Sequence, residues 1–131
     1  MHATCRAVIN TDVGTVFNCF VDPTKLTEWW PSGAETDPRP GGDYHLWWDG
    51  PDWHLRGRYI EVERPHRLVW TWKWDHDDVP ARIVTVDLTR EEGSTVLEID
   101  HEATSPDERD SYVDGWNHFL TKLEGRFEIP T

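Results

Sequence analysis

The last quarter of the chain carries a long amphipathic helical pattern. Residues 105–108, Ser-Pro-Asp-Glu, have the form of a capping box with proline at the first helical position. The apolar residues that follow recur at helical spacing: Tyr112, Val113, Trp116, Phe119, Leu120, Leu123 and Phe127. About 20 residues at about 1.5 Å each give a helix about 30 Å long, which is enough to cross a sheet. The helix needs such a sheet to cover its apolar face.

The strands of that sheet are predicted from alternating polarity. Turn residues separate five segments, which run over 43–48, 53–63, 67–74, 81–90 and 95–102, and residues 3–10 alternate in the same way. Short dividers favour hairpins, so we expect a meandering antiparallel sheet. The alternation places Trp70, Trp72 and Trp74 on one apolar face, and we assign Ile60 and Val62 to that face as well. One polar face and one apolar face are expected of a sheet covered on one side.

Two short helices are predicted between the first strand and the rest of the sheet. The first begins after Thr11 or Asp12, and the second begins at Asp22, carries Leu26, Trp29 and Trp30, and stops at Pro31. The resulting order is strand, two short helices, five strands and long helix. This order predicts an α+β fold of the helix-grip kind, a curved antiparallel sheet around a long C-terminal helix. At 131 residues we expect one domain over residues 1–131.

The charge balance excludes two classes of partner. Thirteen basic and 25 acidic residues give a net charge of −12, which repels phosphate backbones and anionic lipid headgroups. We therefore expect no nucleic acid and no membrane partner. We read no export signal, and we expect a cytoplasmic protein in which both cysteines, Cys5 and Cys19, stay reduced.

The elements and motifs together resemble a known family, the AHSA1-like branch of the START/polyketide-cyclase superfamily, also called SRPBCC. The matching stretches span nearly the whole chain: residues 17–30 with Asp22-Pro23 and Trp29-Trp30, residues 39–44 with Arg-Pro-Gly-Gly and Tyr44, and residues 57–65, 67–72, 95–101 and 115–123. The resemblance implies a START/Bet v1-like helix-grip fold with a cavity between the concave sheet and the long helix. In relatives this cavity holds lipids, hormones, polyketides or antibiotics, and in a minority it performs chemistry.

Nine tryptophans in so short a chain need an explanation, and four of them, Trp48, Trp70, Trp72 and Trp116, fall on faces predicted to meet. Two interpretations stay open: the rings fill the interior, or they line a cavity for a flat apolar ligand. The second interpretation predicts a ligand-binding set: Tyr44, Leu46, Trp48, Trp70, Trp72, His101, Trp116, Phe119 and Leu120. Trp47 and Trp53, if they point outward, are candidates for a dimer patch, so monomer and homodimer both remain possible.

His101 is the polar residue that stands out, because it continues the apolar face of Leu97 and Ile99. A buried histidine needs a hydrogen-bond partner, for which we consider a neighbouring strand or Tyr112. The functional alternative is a polar anchor or a general acid or base. The other histidines have no ligand-like spacing, so we predict no metal and no cofactor.

The function predicted from these features is binding of a small hydrophobic, aromatic molecule by a carrier, sequestering or resistance-type protein. Nucleophile elbows, phosphate loops and dinucleotide fingerprints do not occur in the sequence. An enzyme of the polyketide cyclase/aromatase or hydrolase type remains an alternative, because it needs only a cavity and a polar group such as His101, Tyr44 or Arg58. A chaperone-associated stress protein is a weaker alternative.

Overall fold

The computed structural model describes residues 1–128. Its elements in chain order are β1 (His2–Ile9), α1 (Val13–Val21), α2 (Pro23–Leu26), β2 (Gly33–Thr36), β3 (Asp43–Trp48), β4 (Trp53–Glu63), β5 (Arg67–Trp74), β6 (Arg82–Glu91), β7 (Ser94–Glu102) and α3 (Pro106–Gly125). The strands form one antiparallel sheet in the order β1-β7-β6-β5-β4-β3-β2. This curved sheet with its C-terminal helix confirms the predicted helix-grip fold.

Helix α3 packs chiefly against β1 and β7, at one edge of the sheet. Ser105 caps the helix as predicted, with its hydroxyl accepting a hydrogen bond from the Glu108 backbone N–H at 3.1 Å, while the Glu108 carboxylate accepts from the Thr104 backbone N–H, one residue before the position expected in a capping box. Trp116, Leu120 and Leu123 are the residues of α3 that are buried. Because the helix lies over the β1 side, the ends of β3, β4 and β5 face its N-terminal half with space between them. The fold thus positions a site at that end of the sheet.

Strand β2 is absent from the sequence-based prediction, which treated residues 32–42 as a loop. Its four residues, Gly33–Thr36, pair with β3 alone at the edge of the sheet. A short edge strand has no alternating apolar pattern, so the sequence carries no periodic signal for it. The Trp47 ring occupies the space where a side chain at Gly33 would project, and this contact holds β2 in place.

Helix α2 is shorter than predicted, because it ends at Leu26 and does not include Trp29 and Trp30. Both tryptophans are nevertheless buried. Consecutive residues on a helix point about 100° apart, since a turn holds 3.6 residues. Leaving the helix at Leu26 allows the Trp29 indole N–H to donate to the Cys19 carbonyl at 2.9 Å, while the Trp30 ring stacks on Trp72 of the sheet.

The assignment of Ile60 to the apolar face is wrong. Ile60 is 44% exposed, whereas its neighbour Tyr59 is buried together with Leu55. The register between β4 and β5 shifts between Tyr59 and Glu61. A bulge adds one residue to one strand and so reverses the alternation beyond it. Val62 is therefore partly buried against the core, as predicted.

Within residues 1–128, no helix is long and apolar enough to cross a membrane.

Candidate functional site

Trp30 divides the interior of the protein into two unequal spaces. On one side lies a void of about 10 Å³, closed by Phe20, Leu26, Tyr44, Leu46, Tyr59, Leu68 and Trp70. On the other side lies a cavity of about 450 Å³ between α3 and the ends of β3, β4 and β5. The first space is solid core, whereas the second can hold a small molecule.

The cavity walls come from five parts of the chain that the fold brings together. On β5, Trp72 and Trp74 are two residues apart and so share a face. On α3, residues 112, 115, 116 and 119 lie at helical spacing on one side. The β3–β4 and β5–β6 turns and Trp30 complete the lining: Trp30, Trp48, Pro51, Trp53, Trp72, Trp74, His76, Asp77, Glu108, Ser111, Tyr112, Gly115, Trp116 and Phe119.

Two indole hydrogen bonds fix Trp30 as the partition. The Trp48 N–H donates to the Trp30 carbonyl at 3.1 Å, which ties the segment after α2 to the end of β3. The neighbouring Trp29 is tied to α1 through Cys19. The Trp30 ring then packs against Trp116 at 5.0 Å and stacks with Trp72 at 5.9 Å between ring centroids. Trp30 is therefore fixed between the two spaces by the hydrogen bond to its backbone and by the packing of its ring.

The rings of β5 form a corner in the cavity wall. Trp72 and Trp74 lie at 90° to each other, with ring centroids 5.5 Å apart. Trp48 and Trp53 each pack against Trp74, at 5.2 Å and 5.7 Å. Trp53 is 47% exposed and stands at the mouth of the cavity. The wall therefore presents indole surfaces in several orientations, from the mouth inward.

The structure separates the predicted binding residues into three groups. Trp48, Trp72, Trp116 and Phe119 line the cavity. Tyr44, Leu46 and Trp70 surround the 10 Å³ void instead, because Trp30 lies between them and the cavity. Leu120 is buried in the core, and His101 lies behind the wall without lining it. We therefore keep only the first group as candidates for direct ligand contact.

His101 is fully buried and joins the cavity wall from behind. The Trp116 indole N–H donates to His101 Nδ1 at 3.0 Å. The Tyr112 ring stacks on the imidazole at 3.6 Å between centroids, at an angle of 13°. Because Nδ1 accepts a hydrogen bond, the proton of the neutral ring lies on Nε2. Neither predicted hydrogen-bond partner, a neighbouring strand or Tyr112, is the one found: the hydrogen bond comes from Trp116, and Tyr112 contacts the ring by stacking.

Burial determines the charge state of His101. The pKa of His101 is lowered to about 3, chiefly by desolvation of the imidazolium; the Glu108 carboxylate opposes the shift, and the Arg82 guanidinium adds to it to a smaller extent. The side chain is therefore neutral at physiological pH. Within residues 1–128, His101 Nε2 and Trp72 Nε1 are buried without a hydrogen-bond partner. Such groups carry a desolvation cost of about 1–3 kcal/mol each.

An ion pair closes the cavity at the start of α3. Glu108 accepts hydrogen bonds from Arg82 at 2.8 Å and 3.1 Å, and Arg82 also donates to the carbonyl of Pro80 at 2.6 Å. These hydrogen bonds lower the pKa of Glu108 and keep it ionised. Burial raises the pKa of Tyr112 to about 12, so its phenol is neutral. The polar part of the wall thus contains the carboxylates of Glu108 and Asp77, the Tyr112 phenol, the Ser111 hydroxyl and the His76 imidazole.

Sequence reasoning missed several lining residues, among them Trp30, Trp53, Trp74 and Gly115. Trp74 was placed on the correct face of β5, and its position two residues beyond Trp72 was a usable signal. Trp30 comes from a segment without regular structure, so no periodicity could have placed it. Trp47, considered as part of a dimer surface, is partly exposed and packs against His45 at 4.8 Å between ring centroids.

In the described part of the chain, no three His, Cys, Asp or Glu side chains gather in an arrangement that could hold a metal ion. Cys5 and Cys19 are both buried and unpaired.

The curved sheet, the long helix and the cavity between them define a helix-grip protein with a ligand-binding or cyclase-type fold. The family model described as "Activator of Hsp90 ATPase homolog 1-like protein" matches residues 10–128. The chain therefore belongs to this AHSA1-like family, within the SRPBCC superfamily, as its motifs predicted. A search of curated proteins found no match.

Solved structures with the same fold include CalU16 from Micromonospora echinospora. It is 27% identical to this chain with a TM-score of 0.82, and the match covers 96% of this chain and 74% of CalU16. Protein MLL2253 from Mesorhizobium loti is 23% identical with a TM-score of 0.85, covering 98% of this chain and 100% of that protein. DynU16, from the dynemicin biosynthetic locus, is 19% identical with a TM-score of 0.84, covering 95% and 46% of the two chains.

Proposed function

We propose that this protein binds one small, largely apolar molecule with an aromatic ring in the cavity beside α3. The observation that carries the proposal is a space of about 450 Å³ with eight aromatic residues in its wall: Trp30, Trp48, Trp53, Trp72, Trp74, Tyr112, Trp116 and Phe119. Ligand pockets are typically 300–1,000 Å³, mostly apolar, with a few polar groups. Each stacked aromatic pair adds about 0.5–1.5 kcal/mol beyond the buried area.

The positions of the polar residues favour binding over catalysis. A general acid or base must come within hydrogen-bond reach of its substrate. His101 is fully buried behind the wall, and the Tyr44 hydroxyl donates to the Thr71 carbonyl at 2.5 Å on the other side of Trp30. The Arg58 side chain is 67% exposed and lies 3.5 Å from Asp43, away from the cavity. None of the three groups considered for cyclase-type chemistry lines the cavity.

The family supports the same proposal. DynU16 comes from a biosynthetic locus, which associates this fold with small organic molecules. We propose that the present protein carries or sequesters such a molecule in the cytoplasm, without turnover. The family's name refers to chaperone activation, and the aromatic cavity offers no reason to transfer that activity to this chain.

Filling the cavity from α3 tests the proposal without removing any core side chain. A methyl group at Gly115 would contact no neighbouring element within 4 Å, and this position lines the cavity. We expect Gly115→Leu to weaken binding of the fluorescent probe N-phenyl-1-naphthylamine at least tenfold. The leucine should also stabilise the helix by about 0.5–1 kcal/mol, since glycine is a poor helix former. Probe fluorescence titration gives the affinity, and urea unfolding gives the stability.

Gly125→Leu is the matched control, because Gly125 is also helical and also has open space around it, but lies outside the cavity. This variant should bind the probe as the unmodified protein does. Equal probe affinity in all three proteins would place binding elsewhere, and absence of saturable binding to the unmodified protein would refute the proposed function.

A further inference from the structure

The charged groups in the cavity wall are predominantly acidic. Asp77 and Glu108 contribute carboxylates, and His76 is the one basic side chain among the described residues that line the cavity. No lysine or arginine is part of this lining. The whole chain carries a net charge of −12, so the surrounding field has the same sign. The cavity therefore favours positive over negative ligands before any specific contact forms.

The two carboxylates differ in how far the protein neutralises them. Glu108 forms an ion pair with Arg82 at 2.8 Å, which offsets most of its charge. Asp77 accepts a hydrogen bond from the Val79 N–H at 2.8 Å and has no ion pair within residues 1–128. The Lys73 ammonium donates to the carbonyl oxygens of Trp74 and Asp77, outside the cavity lining. Within residues 1–128 the Asp77 carboxylate thus forms no ion pair, and the nearby Lys73 ammonium, bonded to the Asp77 backbone carbonyl, offsets only part of its charge.

The aromatic corner provides the second element of recognition. Ring faces attract cations within about 6 Å of the centroid, and tryptophan does so most strongly. The perpendicular rings of Trp72 and Trp74, with Trp48 at 5.2 Å from Trp74, offer indole surfaces from several directions. The Trp72 N–H edge, which would repel a cation, is buried away from the cavity surface. Aromatic faces beside an unpaired carboxylate are the arrangement that binds organic ammonium groups.

We infer that the ligand of this cavity is an organic cation, a protonated amine or quaternary ammonium joined to an apolar, aromatic body. The inference rests on the proposed function and names the chemical class of the molecule bound there. The aromatic walls bind the apolar body, while the tryptophan corner and Asp77 bind the positive head. An amphiphilic cation of this kind interacts favourably with both the apolar aromatic wall and the Asp77 carboxylate, whereas a neutral hydrocarbon interacts favourably with the aromatic wall alone.

A pair of isosteric probes tests the charge preference directly. Phenyltrimethylammonium and tert-butylbenzene have the same shape and differ in one atom, a charged nitrogen in place of carbon. Each is titrated against the complex with N-phenyl-1-naphthylamine, and its displacement of the probe gives its affinity. We expect the cation to bind about tenfold more tightly than the neutral compound, the size that a desolvated cation–π site supports.

The isosteric comparison keeps the two proposals separate. If the naphthylamine binds but the cation shows no preference over tert-butylbenzene, or neither displaces it, the cation inference fails and the proposed binding function stands. If the naphthylamine itself does not bind, the proposed function fails as well.

Asp77→Asn should reduce affinity for phenyltrimethylammonium about three- to fivefold and leave tert-butylbenzene binding unchanged, because it removes one charge near the ligand. Asparagine retains an oxygen that can accept the Val79 N–H, so the turn is expected to keep its form. Asp78→Asn is the control: it makes the same change in net charge at a neighbouring exposed residue outside the lining. Equal loss in both variants would show a general field effect and overturn the assigned role of Asp77.

Discussion

Replacement of Trp30 with alanine should lower the free energy of unfolding by about 3–5 kcal/mol, the range for removing a large buried aromatic side chain. Trp30 is 9% exposed and packs against Trp29, Trp48, Trp72 and Trp116. Removal of the indole leaves a space that the surrounding tryptophan rings cannot easily fill, because they are packed against other residues. The same change should join the cavity to the core void and admit ligands larger than the unmodified protein accepts. Urea unfolding and probe titrations with compounds of increasing size measure the two effects.

Trp53→Ala provides the comparison for the Trp30 variant. Trp53 also lines the cavity but is 47% exposed at its mouth, so its loss should cost less than about 1 kcal/mol. Comparison of the two variants separates the loss of unfolding free energy caused by opening the partition from the loss caused by removing any aromatic ring of the lining. Similar destabilisation by both, with no change in ligand size limit, would show that Trp30 does not divide the interior.

Alternation predicted which face of the sheet each residue lies on, but not which of the two interior spaces its side chain contacts. Trp70 and Trp72 share a face of β5 and were assigned to one binding site. The structure places Trp70 at the core void and Trp72 in the cavity. The division depends on Trp30, which enters from a segment that follows α2 without regular structure. Periodicity describes one helix or strand at a time, so it could not show that Trp30, from another segment, lies between the spaces that Trp70 and Trp72 contact.

The errors at Ile60 and β2 have a related physical origin. A bulge changes the alternation by one residue without changing the composition of the strand. Alternation counted back from the inward Val62 therefore misplaced Ile60, which lies at the register shift and next to the buried Tyr59. Strand β2 exists because β3 pairs with it, which is a property of the assembled sheet rather than of the residues Gly33–Thr36. Both features depend on how the strands pair, and the sequence of a single strand gives little indication of that pairing.

The burial of His101 was predictable, whereas its partners were not. Its place beside Leu97 and Ile99 on an alternating strand was enough to predict an inward side chain, and the structure leaves it 0% exposed. The hydrogen bond from Trp116 depends on how α3 packs against β7 after the short connection between them, which the pattern of neither element contains. The sequence suggested Tyr112, which reaches the same imidazole from the same helix but by its ring face.

The stability of the protein should fall by about 2 kcal/mol between pH 7 and pH 5, owing largely to His101. Burial lowers the pKa of His101 to about 3 in the folded chain, while an exposed histidine in the unfolded chain has a pKa of about 6.5. Between these values the unfolded chain binds more protons, so each pH unit costs about 1.4 kcal/mol. The stabilisation is complete above pH 6.5 and is lost progressively as the pH falls toward 3. Urea unfolding at several pH values measures the slope.

The interval from pH 7 to pH 5 isolates the histidines, because the lowered pKa values of Asp12 and Glu108 affect stability only at lower pH. His101→Gln should remove most of the slope, since glutamine does not titrate and its oxygen can still accept the Trp116 N–H. Burial also lowers the pKa of His45, but that side chain is only partly buried, so His45→Gln should change the slope less. The stability difference between the unmodified protein and His101→Gln should narrow steadily toward pH 5. A constant difference would mean that the folded chain protonates His101, and the imidazole would then have access to solvent and to the ligand.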